Sequence, residues 1–266
     1  ISLDSALGQQ RRLNQVGETI SSIAAPTIAY SLRSLTGGDP RAVRVRRSSD
    51  NSAQDFTVSE INSGALVSFV GSGNDGFVDT WYDQSGNGTN ATQAAVAEQP
   101  KIVSSGSLIT GGGIAFDGSD DQLDFTALNA SDLAIFTVLK FDVVSSQKRI
   151  LGDSSDNSEG FGIGNATNGF FRGNGGSSLS PSLGATISTS GDFLYSLTRA
   201  SNTITFFTKG TASGTNTRSD AFKADSIGGN TNPIDGNLKE IIIYTSDQSS
   251  NRLAIEANIT SHYGIS

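Results

Sequence analysis

FLYSLTRASNTITFFT, residues 193–208, decides the fold. Two apolar-rich runs flank SNT at 201–203, and in the second Ile204 and Phe206 alternate with Thr205 and Phe207. Successive side chains of a strand point to opposite faces, so the stretch reads as strand, turn, strand. Both faces of the second run carry apolar groups, as in a strand covered by two layers.

The same texture extends in both directions. Short β-like runs fall at 43–47, 66–70, 77–82, 100–103, 113–117, 122–126, 134–142, 148–152, 160–164, 169–172 and 237–245, separated by Gly, Asn, Asp and Ser. Many short strands with turn signals and almost no helical period predict an all-β fold, an antiparallel jelly-roll β-sandwich. A short C-terminal helix is expected, capped by Asp247 or Ser249, with Ile255, Ile259 and Tyr263 on one face. No repeat or linker interrupts 29–266, which reads as one domain. Residues 1–28 differ: Leu13, Val16, Ile20 and Ile23 form one helix stripe that Pro26 should end. That helical segment is expected to dock on its own domain or to serve attachment and oligomerisation.

Composition narrows the function. Hydrophobic residues make up 35% of the 266 and charged residues only 17%, so the surface is polar through Ser, Thr, Asn and Gly. A net charge of −8 disfavours a broad nucleic-acid surface, because neutralising phosphates takes clustered positive charge. The one basic run, RAVRVRR at 41–47, puts Val43 and Val45 on one strand face and Arg44 and Arg46 on the other, a solvated face. There is no cysteine, so disulfides and thiolate metal sites are excluded. No apolar stretch approaches the roughly 20 residues that span a bilayer, and no membrane partner is expected. With no methionine and no secretory leader at Ile1, the expectation is a processed chain or part of a longer product.

The remaining motifs are weak. Asp117, Asp120 and Asp121, or Asp153 and Asp156, offer oxygens at short spacing but match no calcium loop. His262 is the only histidine, so neither a shared imidazole site nor a Ser/His/Asp triad can be built. Neither metal nor cofactor is expected. FVDTWYDQSGNGTNATQ, 77–93, holds the only tryptophan. Trp81 and Tyr82 could stack on a sugar while Asp83 and Gln84 fix hydroxyls, or the pair could plug the core while Asp83 ties a turn at Gly86 and Gly88.

AYSLRSL (29–35), VRVRRSSDN (43–51) and TWYDQSGNGTNATQ (80–93) resemble the start of the catalytic domain of fungal α-L-arabinofuranosidase B. NGFFRG (168–173) and SIGGNTN (226–232) follow in the same order, so the resemblance covers most of 29–245, with the YDQSG core its specific part. FDGSDDQLDF (116–125) is also similar to laminin-G-like and concanavalin-like domains. The resemblance implies a concanavalin-like sandwich and the removal of arabinofuranosyl groups from plant polysaccharides. It places the nucleophile, a glutamate before Asn-Gly, at Thr167, and the acid/base, an aspartate after Gly-Gly, at Asn230. A retaining glycosidase needs two carboxyl groups about 5 Å apart, and a hydroxyl with a carboxamide cannot replace them.

Arabinofuranosidase-like modules are also familiar in bacteriophage tail and fibre proteins. The resemblance therefore implies a catalytically inactive structural component of a virion (tail, fibre or head surface). It would contact other virion proteins through 1–28 as a homo-oligomer, with a trimer expected from the habits of fibre proteins alone. Host-surface polysaccharide is the ligand expected for the inherited groove, with Asn165, Thr167, Asn168 and Asn230 as its polar lining and Trp81, Tyr82 and Asp83 nearby. The rivals are a secreted bacterial glycan-binding or adhesion module in the extracellular space, and an active hydrolase in which Asp156, Glu159 or Asp225 replaces the lost acids.

Overall fold

The computed structural model describes residues 18–154, 159–173, 177–183, 186–229 and 231–265. Its strands are β1 (Ile28–Ser31), β2 (Arg41–Arg47), β3 (Ala53–Thr57), β4 (Gly76–Trp81), β5 (Ala91–Thr92) and β6 (Lys101–Ser104). Next come β7 (Ser107–Leu108), β8 (Ile114–Asp117), β9 (Gln122–Ala130), β10 (Leu133–Phe141), β11 (Lys148–Gly152) and β12 (Gly160–Asn165). The last are β13 (Asn168–Arg172), β14 (Phe193–Ala200), β15 (Thr203–Thr208), β16 (Thr211–Thr217), β17 (Phe222–Gly228) and β18 (Asp235–Tyr244). Among the described residues, four α-helices accompany them, α1 (Ile20–Ile23), α2 (Val58–Asn62), α3 (Ala65–Val70) and α4 (Arg252–Tyr263), with one 3-10 turn at Val96–Glu98.

All the pairings are antiparallel. One layer runs β3-β2-β4-β5-β9-β17-β11-β12-β13, and the other β1-β18-β10-β14-β15-β16. They join at one corner, where β8 pairs with both β18 and β6. The expected β-sandwich is present. The 193–208 unit is a hairpin in which Ala200 pairs with Thr203. Ser201 and Asn202 turn it with φ of 46° and 71°, the two positive values of a type I′ turn.

Alternation explains the two-sided strands. Leu133, Ile135, Leu139 and Phe141 of β10 enter the core between the layers, while Ala134, Phe136 and Val138 enter a second core beneath α4. β18 divides likewise, with Ile241 and Ile243 inward and Ile242 and Tyr244 outward. Each such Ile or Phe contributes about 1.5–3 kcal/mol on burial. These two strands therefore anchor the fold far more than β16, TASGTNT, in which no residue is fully buried.

Some expectations need correction. Residues 66–70 form helix α3 rather than a strand: Gly64 at φ 84° starts it directly after α2, which opens on a capping box between Thr57 and Glu60. Helix α4 begins after Asn251, so neither Asp247 nor Ser249 is its cap. Asp247 instead accepts from Ser249 N, closing the preceding turn. Ile255 and Ile259 are buried as expected. Of the N-terminal stripe, Leu13 and Val16 lie outside the described residues. Ile20 begins a single turn, α1, and packs with Ile255 and Ile259 on this chain's own sandwich.

Candidate functional site

The YDQSG corner is a latch. Trp81 is wholly buried, its ring centroid 5.6 Å from that of Tyr30. Of the two readings of Trp81, sugar platform and core plug, its burial fits the plug: no face of the indole reaches solvent. The Asp83 carboxylate accepts from Ala29 N at 2.9 Å, Ser85 N at 2.9 Å, Thr89 N at 3.0 Å and Ser85 Oγ at 2.7 Å. Gln84 accepts from Leu35 N and donates to the carbonyls of Ser31 and Arg33. Together they tie β1 and its following loop to the end of β4, and Gly86 and Gly88, at φ 90° and 75°, let the chain bend there. Asp83 and Gln84 are thus committed to the turn rather than directed at a ligand.

Of the two positions that the resemblance assigns to catalysis, Thr167 is among the described residues. Thr167 is exposed at the turn between β12 and β13, where Asn165 Oδ1 accepts from Thr167 N at 2.8 Å, Thr167 Oγ1 at 3.0 Å and Asn168 N at 3.0 Å. The Asn165 carbonyl oxygen is therefore occupied in shaping its own turn. Asn230 and Asp156 lie outside the described residues. Glu159 is 1% exposed, and Asp225 accepts from Ser154 N at 2.7 Å and Ser154 Oγ at 2.6 Å. Beside Gly228 and Gly229 lies a depression of about 10 Å³ lined by Gln122, Asp153, Ser154, Ser226 and others, but not by Asn165, Thr167 or Asn168. That is room for about one water, not a pentose ring, among the described residues. Gly228 keeps it tight: at φ 78°, a Cβ there would stand 2.5 Å from Asp121 O.

A larger opening lies on the outer face of β2, β4 and β5. This cleft of about 460 Å³ is lined by Arg44, Arg46, Asp79, Thr92, Gln93, Gln99 and neighbours. Antiparallel register sets Arg44 opposite Asp55 of β3 and Thr80 of β4. Its guanidinium reaches Asp55 at 2.8 Å and Asp79 at 3.4 Å. Burial opposes ionisation of Asp55, yet hydrogen bonds from Tyr82, Arg44 and Arg41 hold its carboxyl below the usual range. Burial pushes Asp79 up, with the Asp55 charge adding to the rise. Two carboxyls with separated acidities resemble an acid and a nucleophile, but the Arg44 guanidinium bridges them. The pair is an ion cluster.

Tyr82 stands at the edge of this face, donating to Asp55 Oδ1 at 2.8 Å, with the Arg41 guanidinium 4.7 Å from its ring centre. The solvated-face reading of 41–47 holds only in part. Arg46 is 8% exposed, packs 4.7 Å from the Phe77 ring centre and donates to Gln99 Oε1 at 2.7 Å. Sequence reasoning missed this cleft because its polar members come from five separate segments. The alternation of Arg44 and Arg46 was the only local signal.

The acidic turn after β8 brings ligand oxygens of Asp117, Asp120 and Asp121 within 4.8 Å of one another. Asp121 is spent on Asp117 N and Asp117 on Ser119 N, ordinary turn bonding. Burial, with the charges of Asp117 and Asp120, pushes the Asp121 carboxyl up to about 6. His262 lies at the end of α4 with its ring edge-on to Tyr263.

No family model matches the chain, and no curated protein matches it in sequence. Solved structures do match. A GH54 α-L-arabinofuranosidase soaked with a cyclic sulfate inhibitor superposes with a TM-score of 0.64 at 13% identity, over 92% of this chain and 66% of that one. An arabinofuranosidase complexed with arabinofuranosyl-α-1,2-xylobiose gives 0.57 at 16%, over 92% and 65%. The chain spans about two thirds of the length of these structures, and at such identities the likeness is one of fold. Its architecture is a β-sandwich like that of these structures.

Proposed function

We propose that this chain is a non-catalytic, glycan-contacting β-sandwich carried on the outside of a phage virion. The observation that carries the reading is Thr167, a hydroxyl held at an exposed turn where the resemblance calls for a nucleophilic carboxylate. Its counterpart, Asn230, is a carboxamide with no proton of suitable acidity to donate. Of the acids named as replacements, Asp225 is bound to Ser154 and Glu159 is buried. Glycan contact is assigned to the outer face at Arg44, Thr92 and Gln93, because the cleft there falls in the size range of small-ligand sites, roughly 300–1,000 Å³. The virion placement is supported by the Ser/Thr/Asn-rich composition and the family resemblance.

Incubation with 4-nitrophenyl α-L-arabinofuranoside and arabinoxylan should release no product; turnover abolished by Asp225→Asn would overturn the non-catalytic reading. On a glycan array, binding lost in Arg44→Ala supports the cleft, whereas complete silence removes glycan contact. Peptide mass spectrometry of purified particles should find the chain. A secretion leader or sorting signal in the full-length precursor would favour the adhesion module instead.

A further inference from the structure

A second cavity, of about 270 Å³, opens on another side of the molecule, between the loop after β1, α2, β6, β7, β18 and the last turn of α4. Its apolar wall is Leu32, Ile61, Ile102 and Leu108; its polar wall is Arg33, Lys239 and His262. We propose that this pocket binds a carboxylate on a single ring with one apolar face, a chemistry shared by small alicyclic or aryl acids and by the uronic-acid residues of acidic polysaccharides.

Charge placement carries the argument. The two acids nearest the cations are held away from the lining. Glu240 is fully buried and saturated by Ser31 Oγ at 2.8 Å, Arg33 Nε at 2.7 Å, Arg33 Nη2 at 2.9 Å and Tyr263 OH at 3.0 Å. Asp192 takes Lys239 Nζ at 2.6 Å. A guanidinium carries five hydrogens and an ammonium three, so each cation keeps donors beyond those bonds. Arg33 and Lys239 both lie 5.8 Å from the Tyr263 ring centre, flanking one wall. The lining thus presents positive charge and donors on a chain whose net charge is −8. A volume near the lower limit for small-ligand sites suits one ring rather than a chain.

The rim is made of Gly111, Gly112 and Gly113, all at positive φ. A Cβ on Gly113 would meet Leu238 O at 2.9 Å and Lys239 Cγ at 3.0 Å, so only glycine lets the rim approach Lys239 this closely. Leu108, 40% exposed, supplies the apolar edge. Burial lowers the pKa of His262, and the charges of Arg33 and Lys239 lower it further, against the opposing effect of Glu240. A bound carboxylate would reverse that direction, which provides a reporter.

His262 is the only histidine, so its imidazole proton resonances are unambiguous. Benzoate, D-glucuronate and their neutral counterparts benzamide and D-glucose should be titrated into the intact chain while those resonances are followed. At least one carboxylate should shift them saturably and raise the His262 pKa by about one unit, equivalent to about tenfold tighter binding to the protonated ring. The neutral compounds should not. Leu108→Asp, an exposed substitution, should weaken binding about tenfold by placing a like charge at the rim. Response to benzoate alone identifies a free small acid as the source, and response to glucuronate alone a polysaccharide residue. No saturable shift with either acid, equal shifts with neutral analogues, or unchanged affinity in Leu108→Asp would overturn the proposal. Arg44→Ala, in the other cleft, should leave these titrations unchanged, so the two readings fail separately.

Discussion

Trp81 and its neighbours set the cost of altering single residues. The indole is wholly buried between the layers against Tyr30. Trp81→Ala should therefore lower unfolding stability by about 3–5 kcal/mol in urea titrations. Asp121 offers a pH test. Its carboxyl sits at about 6 in the fold against an ordinary 3.8, so folding disfavours the ionised form. Well below pH 3.8 both states are protonated and the group contributes nothing; stability is lost as pH rises from there towards 6 and stays lost above it. Asp121→Asn keeps an acceptor for Asp117 N without the charge. It should be more stable than the parent at pH 7, with the difference vanishing towards about pH 2, measured by denaturant midpoints. Sequence alone left Trp81 open between sugar platform and core plug, because residue type does not reveal which strand face turns inward. Asp83 was legible as a turn-former, since a short carboxylate before Ser and Gly is the chemistry of a side-chain-closed turn.

Among the elements, the hairpin β14–β15 was readable to within a residue, because alternating apolar groups and a Ser-Asn turn point to the same pairing. Asn202 at φ 71° tolerates that turn as few residues do. Asn202→Val should cost about 1–2 kcal/mol, read as a fall in thermal midpoint, and Asn202→Gly should cost nothing. The run at 66–70 was misread because LVSFV is short, apolar and β-branched, and periodicity cannot separate a buried strand from a buried helix at that length. The capping-box spacing from Thr57 to Glu60 was the overlooked sign that helices begin nearby. β16 escaped notice for the opposite reason. TASGTNT has no apolar alternation and is held through backbone pairing with β15.

For the whole molecule, the buried Glu240 joins β1, the loop that follows it and α4 to the middle of β18. Arg33→Met would strand that carboxylate in a dry site and should destabilise the fold by about 3–5 kcal/mol in equilibrium unfolding. The sandwich architecture was legible from strand number and turn spacing. The two clefts were not, since each gathers residues scattered over more than fifty positions of sequence. The pairing of β1 with β18 has a mechanical consequence. Ile28 lies opposite Ile243, so the incoming and outgoing chain meet at the same end of one ladder. Tension between residues 18 and 265 would peel those strands apart pair by pair, like a zip, instead of shearing them together. A domain built this way withstands drag when it is tethered at one end and yields readily when it is strung in line.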